Sequence, residues 1–346
     1  MDLYNLLGDE QSRRIYQSRK NYSLTGDESF LQEMVDFTVR NRREWIEFRK
    51  DLEKKSVQGP LLIFGAGIWG KILWEETHDV VNWKACIDTS PQGKHFPIPI
   101  ISFEEFIKEY QMEFVAVSSY KHLVSMHRQL LRAGIPENRI IRAGDVIHLL
   151  TEGGAYFDLE KLLPVGEKEV FVDGGCFDGF TTKTFFRWTK GKGYAYCFEM
   201  DKNNIASVRK NLCGFENYQI IPKALWSEKK TLSLLGSGDF SSSVSEEIGV
   251  GGNVCVEADT IDHLLPDQKV TYIKLDVEGA ELEVLKGAKR MIQQQSPRLA
   301  VSIYHKKEDL WAIPSLIHAY NPGYRFYLRH YSFSWYDTVL YALTEG

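Results

Sequence analysis

No apolar run in this sequence approaches the ~20 residues that a spanning helix needs, which excludes a helical membrane span. The five cysteines, Cys86, Cys176, Cys197, Cys213 and Cys255, are scattered, odd in number and without a CxxC pair. A disulfide framework and a thiolate zinc site are therefore excluded, and free thiols in a reducing cytoplasm are expected. There is no basic excess: the net charge of -5 argues against general nucleic-acid binding. The stretch from Met1 to Glu10 has no basic residue and no apolar core, so no secretory leader is expected. No Gly-Lys-Ser/Thr loop for a triphosphate is present, and no internal repeat of solenoid length. What is present is an ordinary globular composition, 43% hydrophobic and 26% charged, in a chain of 346 residues, long enough for two domains and an extension.

Residues 1–57 are polar and dense in charge, with an imperfect helical stripe through Leu31, Met34, Val35, Phe37, Thr38, Trp45, Ile46 and Phe48. They read as an N-terminal helical extension, either a cap on the next domain or an oligomerisation arm; the cap is the commoner use of an amphipathic helix. Residues 58–148 read as a small Rossmann-like α/β domain, with strands at 61–64, 83–87, 114–117 and 140–141 and a helix from about Tyr120 to Ala133. Residues 149–346 read as a second α/β domain. Its strands are expected near 170–173, 194–199, 218–221, 231–235, 271–275 and 298–303, joined by helices into a parallel sheet. The aromatic and β-branched runs Tyr324–Tyr331 and Thr338–Leu343 read as a closing hairpin. A parallel sheet closed by an antiparallel C-terminal hairpin is the arrangement of class I methyltransferases. The small, flexible residues Gly236–Ser243 and Gly249–Gly252 are expected to form a mobile loop over a site or a long connection.

The most informative stretch is Val170-Phe171-Val172-Asp173-Gly174-Gly175-Cys176-Phe177-Asp178-Gly179. An apolar strand runs into a glycine turn, and a helix over Phe180–Trp188 follows. That geometry brings backbone close to a small charged ligand. Two acids flank the turn, which suits a cationic ligand such as S-adenosylmethionine better than a pyrophosphate. Glu199 ends the next strand, where an acid can accept two hydrogen bonds from a ribose diol; alone it is more often an exposed strand-end acid, but beside the glycine loop the ribose reading is favoured. Asp276 ends the strand Tyr272–Leu275 and faces the same crevice, with Glu278 two residues on and Gly279 turning the chain into a helix from Ala280 to Ile292. Glu281 reads as a first-turn helix acid favoured by the dipole. His305 follows another apolar strand and is placed to take a proton near neutral pH. His330 is a weaker candidate, for acceptor binding.

The Asp-Gly-Gly loop, Phe198-Glu199, the block from Lys274 to Ala288 and Ser302-Ile303-Tyr304-His305 together resemble the FkbM-type methyltransferases over about residues 165–345. The resemblance implies S-adenosylmethionine as cofactor and O-methylation of a hydroxyl, often on a sugar or a polyketide. The family loop more often has Gly-Ala-Asn where this chain has Gly174-Gly175-Cys176, and Glu-Pro where it has Glu199-Met200. The expected cofactor-binding set is Asp173, Gly174, Gly175, Cys176, Asp178, Gly179, Glu199, Met200, Ala224 and Asp276. His305 is the expected base, with Asp276 and Glu278 orienting it or binding the acceptor. Asp276, Glu278 and His305 can alternatively hold a divalent metal, although strand-end polar groups are also what a metal-free pocket needs. Tyr304, Tyr324, Tyr327, Arg329, His330, Tyr331 and Trp335 offer aromatic and polar faces for a saccharide or other small-molecule acceptor, or simply fill a core. A homo-oligomer is open.

The first domain carries Gly65-Ala66-Gly67-Ile68-Trp69-Gly70 at a strand end, with Asp88 18 residues after Gly70. That is a dinucleotide pattern, and it supports an alternative: an NAD-dependent oxidoreductase, or a nucleotide-sugar-binding protein. Trp69 is bulky beside a pyrophosphate path, and Tyr120-Lys121 are too close together to form a dehydrogenase Tyr-Lys pair. The domain also resembles small Rossmann-like modules attached to sugar-modifying enzymes, so a bound nucleotide there stays open. A non-catalytic scaffold is the third reading; the intact Asp173, Glu199, Asp276 and His305 weigh against it.

Overall fold

A computed structural model describes residues 3–90, 92–151, 153–235, 243–245 and 254–344. The loop expected at Gly236–Ser243 and Gly249–Gly252 lies almost wholly outside the described residues. The chain divides into two compact units, one of residues 1–34, 155–330 and 334–346, the other of residues 35–154 and 331–333. The stretch 1–57 is therefore shared between the units and does not form a separate extension.

The unit of residues 35–154 is built on five parallel strands, β1 (Leu61–Phe64), β2 (Trp83–Asp88), β3 (Ile100–Ser102), β4 (Phe114–Val117) and β5 (Ile140–Ile141), in the order β3-β2-β1-β4-β5. β1 and β4 are buried along their whole length, because helices cover both faces of a parallel sheet. Val39, Trp45, Phe48 and Leu52 bring the helix Arg43–Ser56 and the turn before it into this core, as a cap would.

In the other unit, β6 (Val170–Gly174), β7 (Tyr194–Phe198) and β8 (Tyr218–Ile221) run parallel. The next four strands, β9 (Ala224–Leu225), β10 (Lys230–Leu235), β11 (Ser243–Ser245) and β12 (Val254–Asp259), form a separate sheet in the order β11-β10-β12-β9. The strand expected at 231–235 thus exists, but it pairs antiparallel with β12 and does not enter the main sheet. The main sheet is completed by β13 (Tyr272–Leu275), β14 (Arg298–Ser302), β15 (Tyr324–His330) and β16 (Thr338–Thr344) in the order β15-β16-β14-β13-β6-β7-β8. Only β16 runs against its neighbours β14 and β15, so the parallel sheet with a terminal hairpin is the class I methyltransferase arrangement. The helix expected over Ala280–Ile292 is broken into Glu281–Lys286 and Lys289–Gln295. A side chain at Gly287, between them, would collide with the Trp226 carbonyl, so the chain passes that backbone on a glycine. The helix Glu10–Thr25 starts on an Asp9 cap that accepts from the Ser12 N–H at 2.8 Å. It packs on β15, where the Ser12 hydroxyl accepts from the Leu328 N–H at 2.8 Å.

Candidate functional site

In the main sheet β6 lies between β7 and β13, and the strand order reverses there. Ligands of open α/β sheets sit outside the carboxyl ends of the strands at such a point. The ends of β6, β7, β13 and β14 are followed by the Gly174-Gly175 turn, Glu199, Asp276 and His305.

Asp173 is fully buried. Thr182 Oγ1 donates to its Oδ2 at 2.7 Å, and Lys274 Nζ stands 3.2 Å from its Oδ1. The Lys274 ammonium, 2% exposed, also donates to the Gly174 and Gly175 carbonyls at 3.2 and 2.8 Å. Burial works against that charge, but Asp173 and then Asp276 outweigh it and hold the lysine pKa above its usual value. Asp173 is expected as a ligand-binding acid; the structure makes it the buried anchor of the turn. Gly175, at φ 73°, has no room for a side chain, which would collide with the Asp276 carbonyl. Cys176 is buried; hydrogen bonding to Cys197 and burial push its thiol pKa up, so it stays a thiol. Asp178 accepts from the Phe180 N–H at 3.0 Å and starts the helix Phe180–Trp188, and Gly179 passes close to Val208.

Glu199 accepts from the N–H groups of Phe177, Met200 and Asp201 at 3.0, 2.9 and 2.9 Å. Burial raises its pKa against those bonds. Beside it Met200, Ala224, Trp226, Val277 and Ala280 form an apolar patch. Trp226 Nε1 is buried in that patch and has no hydrogen-bond partner among the described residues.

The ends of β13 and β14 bring the other candidates together. Asp276 accepts from the Tyr156 and Tyr304 hydroxyls at 3.0 and 3.2 Å. His305 lies among three carboxylates: its Nε2 is 3.4 Å from Glu278 and 3.7 Å from Asp276, and its Nδ1 is 3.1 Å from Glu281. Burial disfavours the imidazolium, but Glu278, Glu281 and Asp276 prevail and raise its pKa to about 10. Burial likewise disfavours the charged Asp276, and here Lys274 and then His305 prevail, holding it below the usual carboxylate range. Glu278 and Phe177, at φ 55° and 50°, and Tyr156, at φ 71°, all adopt the left-handed region. Such conformations in non-glycine residues collect where side chains are aimed for function.

Residues 173–334 match the model of the methyltransferase FkbM domain. This part of the chain is similar to FkbM methyltransferase domains. Among solved structures, the methyltransferase FkbM from Methylobacillus flagellatus KT is 19% identical, covering 95% of this chain and 100% of that one, with a TM-score of 0.49. Aeropyrum pernix fibrillarin, in complex with natively bound S-adenosyl-L-methionine, is 13% identical over 57% of this chain and 73% of that one, with a TM-score of 0.36. An rRNA methylase from Streptococcus thermophilus is 14% identical over 52% and 88%, with a TM-score of 0.35. No curated protein matches the chain.

Three placements in and beside the matched region differ from those expected from sequence. His305 is where a base is wanted, but with a pKa of about 10 it is an imidazolium at neutral pH and donates rather than accepts. Glu281 is no exposed helix acid: it is fully buried, faces His305, and its Oε1 accepts from the Val277 and Gly279 N–H groups at 2.8 and 3.4 Å. His330 is buried in the hairpin, its Nδ1 2.9 Å from Thr338 Oγ1, so it belongs to the core. Tyr156 and Lys274 were missed as site residues; Tyr156 precedes the sheet by a loop, and nothing in its sequence context points to Asp276. In the other unit Asp88 is engaged at both oxygens. Oδ2 accepts from the Ala66 N–H at 3.0 Å, and Oδ1 accepts from Ser90 N–H and Lys94 Nζ, each at 2.8 Å.

Proposed function

We propose that this protein is an S-adenosylmethionine-dependent O-methyltransferase acting on a hydroxyl of a sugar or glycan precursor. The observation that carries the reading is the FkbM domain match together with the placement of Glu199, Asp276, Glu278 and His305 after neighbouring strands of the sheet that holds the glycine turn. The residues suit the cofactor. Glu199 supplies a carboxylate at a second-strand end, the Met200–Ala224–Val277 patch suits an adenine, and the orphaned Trp226 Nε1 is a donor in that patch. The acids at the strand ends suit an ammonium and a sulfonium. When bound, S-adenosylmethionine supplies a methyl group on a positively charged sulfur.

The chain's own residues must then align the acceptor hydroxyl and accept its proton. Glu278, more exposed than Asp276 and on a strained backbone, is the acceptor of that proton in this reading; His305 Nε2 stands 3.4 Å from it. Alignment of the two reactants supplies most of the remaining rate. The saccharide part of the reading rests on Tyr304, Tyr336 and Trp335. Trp335 and Tyr336 stack at 4.0 Å and are 38% and 46% exposed, and Tyr336 meets Tyr304 edge-on at 6.2 Å. Exposed aromatic faces next to an acid cluster suit the apolar face of a sugar ring. The five free cysteines suit a reducing compartment.

Calorimetry with S-adenosylmethionine and S-adenosylhomocysteine, followed by transfer of a labelled methyl group to a panel of saccharides, tests the reading. Saturable cofactor binding and an alkali-stable methyl ether on a sugar are expected. A folded protein that binds neither cofactor form would overturn it.

A further inference from the structure

We propose that Asp276, Glu281 and His305 form a binding site for one divalent cation of the magnesium or manganese type, which holds the acceptor hydroxyl. The use made of the cation rests on the methyl-transfer reading above; its binding does not.

Each of the three residues offers a ligand atom, and the three atoms lie within 4.8 Å of one another. Metal–ligand bonds of about 2.0–2.2 Å hold opposite ligands roughly 4 Å apart. Closing the cluster on an ion therefore takes less than about 1 Å of side-chain movement. The ligands come from three elements, the end of β13, the first turn of the helix Glu281–Lys286, and the segment after β14. Two carboxylates and one imidazole, which gives up its proton when it ligates, are a donor set for magnesium or manganese rather than for a thiophilic ion.

Charge points the same way. Asp276, Glu278 and Glu281 surround a single imidazole. The nearby Lys274 ammonium is engaged with Asp173 and the Gly174 and Gly175 carbonyls. Negative charge is in excess, and the Glu281 part of it is fully buried.

An independent observation concerns unmet polar atoms. Glu281 is fully buried, and its Oε2 has no hydrogen-bond partner among the described residues. Neither ring nitrogen of His305 makes an aligned hydrogen bond, although carboxylate oxygens stand at 3.1–3.7 Å. Buried polar atoms left without partners are costly, and a cation bound by one oxygen of Glu281 and one ring nitrogen of His305 would satisfy an atom of each. The Tyr156 and Tyr304 hydroxyls on Asp276 would orient that ligand, as groups behind a metal ligand commonly do.

Three protein ligands leave positions open for a hydroxyl oxygen. With the acceptor bound there, its O–H bond breaks and the proton passes to Glu278. The oxygen lone pair forms the new C–O bond, and the methyl carbon leaves the sulfonium sulfur, which keeps the bonding pair. The methyl donor is thereby discharged to a neutral thioether.

The full chain, stripped with chelator and dialysed, is titrated with Mn²⁺, free Mn²⁺ being read by electron paramagnetic resonance and bound Mn²⁺ by calorimetry. One Mn²⁺ per chain is expected, with affinity falling at least tenfold in both Asp276→Asn and His305→Ala. Glu281→Gln is a poorer probe because Glu281 also holds the Val277 turn, so circular dichroism accompanies every variant. Absence of saturable binding by the folded wild type, or unchanged binding in both folded variants, would overturn the proposal. S-adenosylmethionine binding is measured on the same samples in chelator. Cofactor binding without Mn²⁺ binding sinks the cation alone; Mn²⁺ binding without cofactor binding sinks the methyl-transfer reading alone.

Discussion

The two glycine turns of this chain look alike in sequence and differ in what surrounds them. The turn after β1, Gly65–Gly70, has the more regular spacing, yet the acid opposite it, Asp88, is used up on Ala66, Ser90 and Lys94. The turn after β6 has irregular spacing, a buried anchor, Asp173, and a Glu199 that is likewise engaged by three N–H groups, but the next strand ends carry Asp276, Glu278, Glu281 and His305. Spacing of glycines reports where backbone must pass closely. It does not report whether the neighbouring acids are free to act.

Four changes would break or sharpen that contrast. The largest effect is expected at the anchor. Lys274→Met leaves Asp173 buried without its cation, and such a change costs roughly 3–5 kcal/mol. Urea denaturation should show the loss, and Asp173→Asn in the same chain should recover part of it. No recovery would mean that the lysine acts mainly through the Gly174 and Gly175 carbonyls.

Next comes the chemistry. Glu278→Gln should lower kcat by about 10²–10⁴-fold, the usual contribution of a proton-transfer group, with cofactor affinity kept. Asp88→Asn, in the other turn, should leave kcat within about twofold. Equal losses in the two variants would place chemistry in both units.

The glycines separate on stability. Gly175→Ala must enter the left-handed region and displace the Asp276 carbonyl, at a cost of about 1–3 kcal/mol. Gly67→Ala meets nothing within 4 Å and has a negative φ, so it should stay within about 0.5 kcal/mol of wild type. Thermal unfolding of the two variants side by side checks the difference.

The smallest effect is a pH dependence carried by the acid-rich unit. Burial and then the charge of Glu281 raise the Asp309 pKa to about 6. A pKa higher in the folded than in the unfolded chain gives stability that is complete below about 3.8 and is lost as pH rises through about 6. Asp309→Asn should remove that slope, at most about 3 kcal/mol, and flatten unfolding free energy between those pH values. Asp88 has the opposite sign: burial raises its pKa, but Lys94 and the Ser90 and Ala66 N–H groups prevail and lower it. Its contribution is therefore present at neutral pH and lost in acid. Parallel slopes in Asp309→Asn and wild type would remove Asp309 as the source.

Much of the fold was legible in the chain. Apolar runs bounded by glycine or acid marked β1, β2, β4, β6, β7, β13 and β14, because a parallel strand buried on both faces cannot alternate. The aromatic runs marked β15 and β16. The three-residue strand β3 was not legible, being too short to show a period. The antiparallel role of β10 was hidden for another reason: a strand's own sequence does not state its partner. In the site, strand-end position exposed Glu199, Asp276 and His305, while Glu281 looked like any helix-starting acid.

The sequence alone determined most strands of the two parallel sheets and the acids at their ends, since these follow from apolar runs and local spacing, and its block from Lys274 to Ala288 carried the resemblance to the FkbM-type methyltransferases. Only the tertiary structure decided which acids are taken and which are free. A carboxylate's state depends on what stands within about 4 Å of it, and those neighbours come from distant parts of the chain. Lys274 reaches Asp173 across 101 positions, Tyr156 reaches Asp276 across 120, and His305 meets Glu281 across 24.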